Sequence, residues 1–170
     1  APDEATRAVA SVIPIFERCG DEHGLCRAWQ LQGLVEWNAA CAAASIESRE
    51  EAAKHARLAG DEDGRSEILS WVVTSMVFGP TPVDEAIARC DEIRTEVAGN
   101  QAAEAWALRS LAGLHAMDGS FDRAREFLAA GNAIFEELGL TRYSAASDID
   151  GIVEMLAGNL AAAEERLRAG

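Results

Sequence analysis

Residues 99–139 read GNQAAEAWALRSLAGLHAMDGSFDRAREFLAAGNAIFEELG, and this stretch decides the fold. Glycines open it and close it, and Asp118-Gly119 divides it into two segments, 100–118 and 120–138, that are rich in alanine and leucine and contain no proline. Glycine ends helices because it enters the left-handed backbone conformation without steric cost. The stretch therefore predicts two consecutive helices joined by a short turn.

The same punctuation recurs along the whole chain. One series falls every 39 or 40 residues, at Gly20-Asp21, Gly60-Asp61, Gly99-Asn100 and Gly139-Leu140, and a second falls midway between, at Gly79-Pro80, Asp118-Gly119 and Gly158-Asn159. A fixed period of this size is typical of repeat proteins, in which each helix pair buries its apolar face against its neighbours. We therefore predict an all-α fold, a solenoid of antiparallel helix pairs.

The length of 170 residues suits a single domain, residues 1–170. A leading helix is expected over 4–19, with a kink or split at Pro14, and helix pairs over 22–60, 61–98, 100–138 and 140–170. In the first pair we expect one helix from Glu22 to about Ala44 and a capping box, Ser48 with Glu51, opening the next. Both ends look truncated, so the chain is interpreted as a fragment of a longer array.

Composition limits the classes of partner. The chain has 29 acidic and 15 basic residues, a formal charge of -14, and Lys54 is its only lysine. Such a charge repels phosphate backbones, so direct nucleic-acid binding is not expected. Every apolar stretch ends well short of the roughly 20 residues that cross a bilayer, so no membrane segment is expected.

The cysteines indicate a reducing compartment. Cys19, Cys26, Cys41 and Cys90 fit neither a disulfide framework nor a paired zinc pattern, and we interpret them as small reduced hydrophobes of a cytoplasmic protein. Cys19, His23 and Cys26 lie close in sequence, but Gly20 and Asp21 interrupt the helix and no fourth ligand is evident. No metal and no cofactor are predicted.

The apolar pattern within the pairs carries a resemblance to a known family. In the third pair the first helix has Leu108, Leu111, Ala112 and His115, and the turn and second helix have Gly119, Phe121, Ala124, Leu128 and Gly131. Small residues stand at the corresponding helix crossings, where backbones approach closely: Gly33, Ser75, Ala112 and Gly151. These positions resemble those of tetratricopeptide repeats, although Glu36 and Glu154 replace aromatic residues and the period is near 40 instead of 34.

The resemblance is to the divergent arrays of large bacterial signalling proteins, especially actinobacterial ones in which the array follows an ATPase module, sometimes with an adenylate or guanylate cyclase or a transcriptional regulator. It implies a right-handed superhelical solenoid with a groove lined by the first helix of each pair. Carried over by position, the groove residues are Arg27, Gln30, Leu34, Trp37 and Asn38, then Leu69, Val72 and Met76, then Trp106, Arg109 and Met117, then Asp148, Ile152 and Met155. Arg109 beside Trp106 is the preferred anchor for a peptide or a packed helix.

Structural roles compete with these assignments. Trp29 and Trp71 are expected in the core, and His115 is expected to be a core histidine with its hydrogen bonds satisfied. Asp148, Asp150 and Glu154 gather acid on one helix, and we interpret them as solvated charges. Candidate acids, bases and nucleophiles lie on separate helices, so an enzyme is not predicted.

Two function classes remain open. The first is a non-catalytic scaffold that docks a protein, a peptide or neighbouring domains of its own polypeptide, and the second is a sensor of a small-molecule effector. An end-to-end homodimer through exposed terminal helix faces is a further expectation.

Overall fold

The computed structural model describes residues 2–140, 142–143 and 148–169, and within these residues the fold is all-α. The helices are α1 (Pro2–Cys19), α2 (Glu22–Asn38), α3 (Ala42–Leu58), α4 (Glu62–Phe78), α5 (Val83–Glu96), α6 (Gln101–Met117), α7 (Phe121–Glu137), α8 (Asp148–Leu156) and α9 (Leu160–Ala169). Consecutive helices pack on one another within each compact part of the chain, as expected for a solenoid-like array. The predicted fold class is confirmed at this level.

Six of the turns share one hydrogen-bond pattern. An amide two or three residues past the end of the helix donates to a carbonyl five residues earlier, as Asp61 does to Ala56 at 2.9 Å and Leu140 to Phe135 at 2.8 Å. This pattern needs a left-handed residue just before the donor. Glycine supplies it at Gly20, Gly60, Gly119, Gly139 and Gly158, with φ between 65° and 82°.

The sixth turn departs from the sequence prediction. Helix α2 ends at Asn38, not near Ala44, because Ala40 adopts φ 58° and the Cys41 amide donates to the Glu36 carbonyl at 2.9 Å. The midway series of turns has no glycine near residue 40, and Ala40 adopts the left-handed conformation there. The capping box predicted at Ser48 is wrong, since Ser48 lies inside α3.

Several helices begin with the caps that the sequence offers. The carboxylates of Asp21 and Asp61 accept hydrogen bonds from the amides of Gly24 and Gly64, each at 2.9 Å. Such a cap satisfies an amide that has no partner inside the helix and contributes about 1 kcal/mol. Helix α1 is not split at Pro14, because it runs continuously from Pro2 to Cys19, and the alternative of a kink stays a prediction.

Helices α1 to α4 belong to one compact unit, residues 1–80. Its core includes alanines of α3, such as Ala52 and Ala56, and Leu69, Val72 and Val73 of the neighbouring helix α4. The predicted tightness at Gly33 is confirmed, since a Cβ there would lie 2.8 Å from Cγ of Arg49 on α3. Burying each large aliphatic side chain contributes about 1.5–3 kcal/mol.

Helices α5 to α9 belong to the second unit, residues 81–170. Helix α6 lies at its centre and contacts α5, α7 and α8, and its residues from 107 to 116 are all buried. Gly151 of α8 is tight as predicted, because a Cβ there would lie 2.5 Å from the Leu167 side chain of α9. The boundary between the units falls in the Gly79-Pro80-Thr81-Pro82 turn, and the prediction of a single domain stays a prediction.

Candidate functional site

The residues expected to line a groove have different surroundings. Arg27, Asn38, Asp148 and Met155 are exposed, and Gln30, Trp37 and Trp106 are half-buried. Met76 and Arg109 lie inside their units, at 5% and 2% exposure, and a partner has no access to them in this structure. Gln30 and Leu34 are the two predicted positions that line a common cavity, described below.

Arg109, the preferred anchor, is held in a buried polar cluster of three helices. Its Nη2 donates to Asp150 Oδ2 on α8 at 3.0 Å, and Nη1 donates to Asn132 Oδ1 on α7. Asn132 Nδ2 in turn donates to Asp150 Oδ1 at 3.3 Å. The guanidinium therefore has an internal carboxylate, and its geometry is that of a structural ion pair that joins α6, α7 and α8.

A glycine makes room for that arginine. A Cβ at Gly131 of α7 would lie 2.9 Å from Cγ of Arg109, so only glycine lets the long side chain cross the helix contact. The half-buried Trp106 packs edge-on against Phe135, with ring centroids 5.2 Å apart, and against Tyr143 at 5.3 Å. Arg109 and Trp106 thus both serve packing contacts within the second unit.

The acidic residues of α8 are not all solvated, which corrects the sequence interpretation. Asp150 is 5% exposed, in the cluster with Arg109. Glu154 accepts two hydrogen bonds from Arg125 of α7, at 2.8 and 3.0 Å, and one from Asn159 at 2.8 Å. These hydrogen bonds favour the ionised form and lower the pKa of Glu154 to about 2. Only Asp148 of the three is exposed, as predicted.

The first unit contains an open cavity of about 230 Å³ between α2, α3 and α4. Its walls are Gln30 and Leu34 of α2, Arg49 of α3, and Glu67, Ile68 and Trp71 of α4. Leu34 and Trp71 are 47% and 45% exposed, so apolar surface faces the opening. Trp71 was expected in the core, and that prediction is wrong, because its neighbours Val72 and Val73 fill the core instead.

Arg49 is the unusual residue of this cavity. It is 5% exposed, and in the described part of the chain its Nε–H has no hydrogen-bond partner. Its guanidinium lies over the Trp71 ring, 4.7 Å from the centroid, and no ion pair with a described carboxylate holds it. A buried charge without a partner is costly, and cation–π contact offsets only part of that cost.

The electrostatics around Arg49 agree with its burial. Loss of hydration lowers the pKa of the guanidinium, and the Glu36 carboxylate partly offsets this effect. That carboxylate is itself engaged, since it accepts hydrogen bonds from Gln32 and Ser48, each at 2.7 Å. The cavity therefore contains a hydrogen-bonding cation whose full complement of acceptors the surrounding helices do not supply.

The sequence did not single out Arg49, Glu67 or Ile68. Arg49 lies in the polar run Glu47-Ser48-Arg49-Glu50-Glu51, which is typical of a solvated helix face. Its burial depends on Gly33, the small residue of the facing helix, whose lack of a side chain admits the arginine stem. An arginine opposite a glycine at a helix crossing is the sequence feature that could have predicted this burial. Arg109 and Gly131 form a second pair of the same kind.

Other titratable groups are buried without catalytic geometry. His115 is a core residue stacked on Phe127, with centroids 5.3 Å apart, but neither ring nitrogen has a hydrogen-bond partner among the described residues. The expectation of a satisfied histidine is therefore wrong. Burial raises the pKa of the Cys90 thiol to about 12 and also raises that of Cys26, so neither is activated as a nucleophile. The interpretation of the cysteines as small hydrophobic residues fits Cys26 and Cys90, which are buried, but not Cys19 and Cys41, which are exposed.

Across residues 2–140, 142–143 and 148–169, no group of three or more histidine, cysteine or acidic side chains is placed to hold a metal ion. In the same ranges, each helix is too short or too polar to span a bilayer. The chain matches no protein-family model and no curated protein.

Proposed function

We propose that this chain is a non-catalytic interaction module, a tetratricopeptide-like array that recognises its partner at the face formed by α2, α3 and α4. The observation that carries the proposal is the cavity of that face, whose walls include the groove residues Gln30 and Leu34 and the exposed ring of Trp71. Exposed apolar side chains beside a few polar groups are typical of recognition sites. The fold class supports a binding role, because helical arrays present extended surfaces.

Site-specific photocrosslinking tests this role. A photoreactive phenylalanine derivative replaces Leu34 in the full-length protein in its native cells, and the same derivative at the exposed position of Lys54 on α3 is the control. We expect a discrete crosslinked product at position 34, either with one other protein or with another domain of the same polypeptide. Equal crosslinking at both positions, or none at either, contradicts the proposal.

We further propose that the array belongs to a larger cytoplasmic regulator, as the resemblance to bacterial ATPase-linked and cyclase-linked arrays suggests. The coding sequence on both sides of the segment tests this. A nucleotide-binding loop upstream supports the proposal and directs assays to ATP turnover with and without the array. Stop codons close to both ends contradict it. End-to-end dimerisation stays a prediction, to be checked by light scattering at high concentration.

Small-molecule sensing is the second candidate function. The cavity favours it, because a concave site of about 230 Å³ with an unpaired arginine can enclose a ligand much smaller than a protein helix. A thermal-shift screen separates this candidate from the scaffold. An effector stabilises the protein in proportion to the logarithm of its concentration.

A further inference from the structure

The α2–α4 cavity has opposite charges on its walls. Arg49 contributes a buried guanidinium, and Glu67 contributes an exposed carboxylate on the neighbouring helix α4. No ion pair joins these two side chains in the described structure, although both line the same space. Two unpaired charges of opposite sign favour a ligand that is itself a zwitterion, because each charge then gains a partner.

The remaining walls define the ligand's body. Leu34, Ile68 and the Trp71 ring are apolar, and Gln30 adds one amide that can donate or accept a hydrogen bond. Apolar walls exclude a ligand whose body carries further charges, since such groups would lose hydration without a partner. The cavity volume of about 230 Å³ suits a molecule of some ten non-hydrogen atoms.

We propose that this cavity binds a free α-amino acid with an apolar side chain. The ligand carboxylate accepts hydrogen bonds from the Arg49 guanidinium, the ligand ammonium lies against the Glu67 carboxylate, and the side chain contacts Leu34, Ile68 and Trp71. The Arg49 Nε–H is enclosed against Gly33, so the ligand carboxylate meets the terminal Nη groups of the guanidinium. This inference rests on the second function above, small-molecule sensing, and does not depend on protein docking.

Titration calorimetry with three related probes tests each charge. Leucine has both charges, 4-methylpentanoate lacks the ammonium, and leucinamide lacks the carboxylate. We expect leucine to bind best. Loss of a hydrogen bond to a buried charge lowers affinity by about tenfold or more, so leucinamide should bind at least that much more weakly.

Two variants separate the roles of the protein groups. Arg49→Met keeps the aliphatic stem over Gly33 and should abolish leucine binding. Its free energy of unfolding should change little, because removal of the desolvation cost of the charge offsets loss of the cation–π contact with Trp71. Glu67→Gln should weaken leucine binding several-fold and leave 4-methylpentanoate binding unchanged or tighter. Arg27→Met, an exposed arginine on α2, is the matched control and should bind leucine as the wild type does.

Each contrary result overturns a stated part of the inference. If neither leucine nor phenylalanine binds at millimolar concentration, or if Arg49→Met binds leucine normally, the site is wrong. If 4-methylpentanoate binds as tightly as leucine, the occupant is not an amino acid. Binding of only a longer peptide with a leucine terminus also contradicts a free amino acid. None of these outcomes affects the crosslink expected at position 34, which is measured without added ligand.

Discussion

Replacement of Asp150 by alanine is the sharpest test of the second unit's structure. The substitution removes the carboxylate that accepts a hydrogen bond from Arg109 Nη2 at 3.0 Å and one from Asn132. Arg109 is 2% exposed, so water cannot replace the lost partner without opening the packing of α6, α7 and α8. Removing one member of a buried ion pair costs about 3–5 kcal/mol.

Urea denaturation followed by circular dichroism measures this loss. With a denaturant slope of about 2 kcal/mol per molar urea, a loss of about 4 kcal/mol lowers the transition midpoint by about 2 M. Asp148→Ala is the matched control, because Asp148 lies on the same helix but is exposed. Its free energy of unfolding should stay within about 0.5 kcal/mol of the wild type.

A double-mutant cycle then isolates the pair. In Arg109→Met the cation is absent, so the further change Asp150→Ala should cost much less than it does in the wild type. Asp150→Ala with the stability of Asp148→Ala would refute the cluster. Additive losses in the double variant would refute the coupling between Arg109 and Asp150.

Three further predictions concern single side chains. Ala40 has φ 58°, a left-handed conformation that glycine adopts at lower cost than alanine, so Ala40→Gly should raise the free energy of unfolding by about 1 kcal/mol in urea denaturation. The control Ala39→Gly, at φ -86°, should give no gain. The pKa of Glu154 is about 2 in the folded protein and about 4.3 in the unfolded chain. The difference in free energy of unfolding between wild type and Glu154→Gln should therefore be full above pH 5 and shrink toward pH 2. A difference that stays constant with pH would contradict the ion pair with Arg125. Burial lowers the pKa of His115, so wild-type stability should fall as pH drops below about 6.5. Thermal denaturation between pH 7 and 5 should show a smaller fall for His115→Phe. Superimposable pH profiles of wild type and variant would contradict a contribution from His115.

The helices were predictable because each needs only local signals. Gly60 and Gly139 are left-handed turn residues, as the punctuation indicated, and α4 ends at Phe78, directly before the predicted turn at Gly79-Pro80. The end of α2 was not predictable, because Ala40 is left-handed although alanine favours helices. The hydrogen bond from the Cys41 amide to the Glu36 carbonyl closes that turn, and no glycine marks it in the sequence.

The candidate site was less predictable than the fold. Repeat position chose Gln30 and Leu34, which line the cavity, but the same rule also chose Arg109, which Asp150 holds inside. Helical periodicity tells which residues share a face, but the burial of a long cationic side chain depends on space left by another helix. Gly33 leaves that space for Arg49, and only the packed structure shows that the two residues meet.

Nuclear magnetic resonance of arginine Nε–H groups tests most directly the claim that the α2–α4 cavity is where this chain recognises a ligand. The Arg49 resonance is assigned by its absence in Arg49→Met and is then followed during titration with leucine. We predict a saturable shift of that resonance, because the ligand carboxylate binds the Nη groups of the same guanidinium, while the Arg109 resonance stays in place. An Arg49 resonance that remains unchanged at saturating leucine, or shifts no more than that of Arg109, would contradict the account.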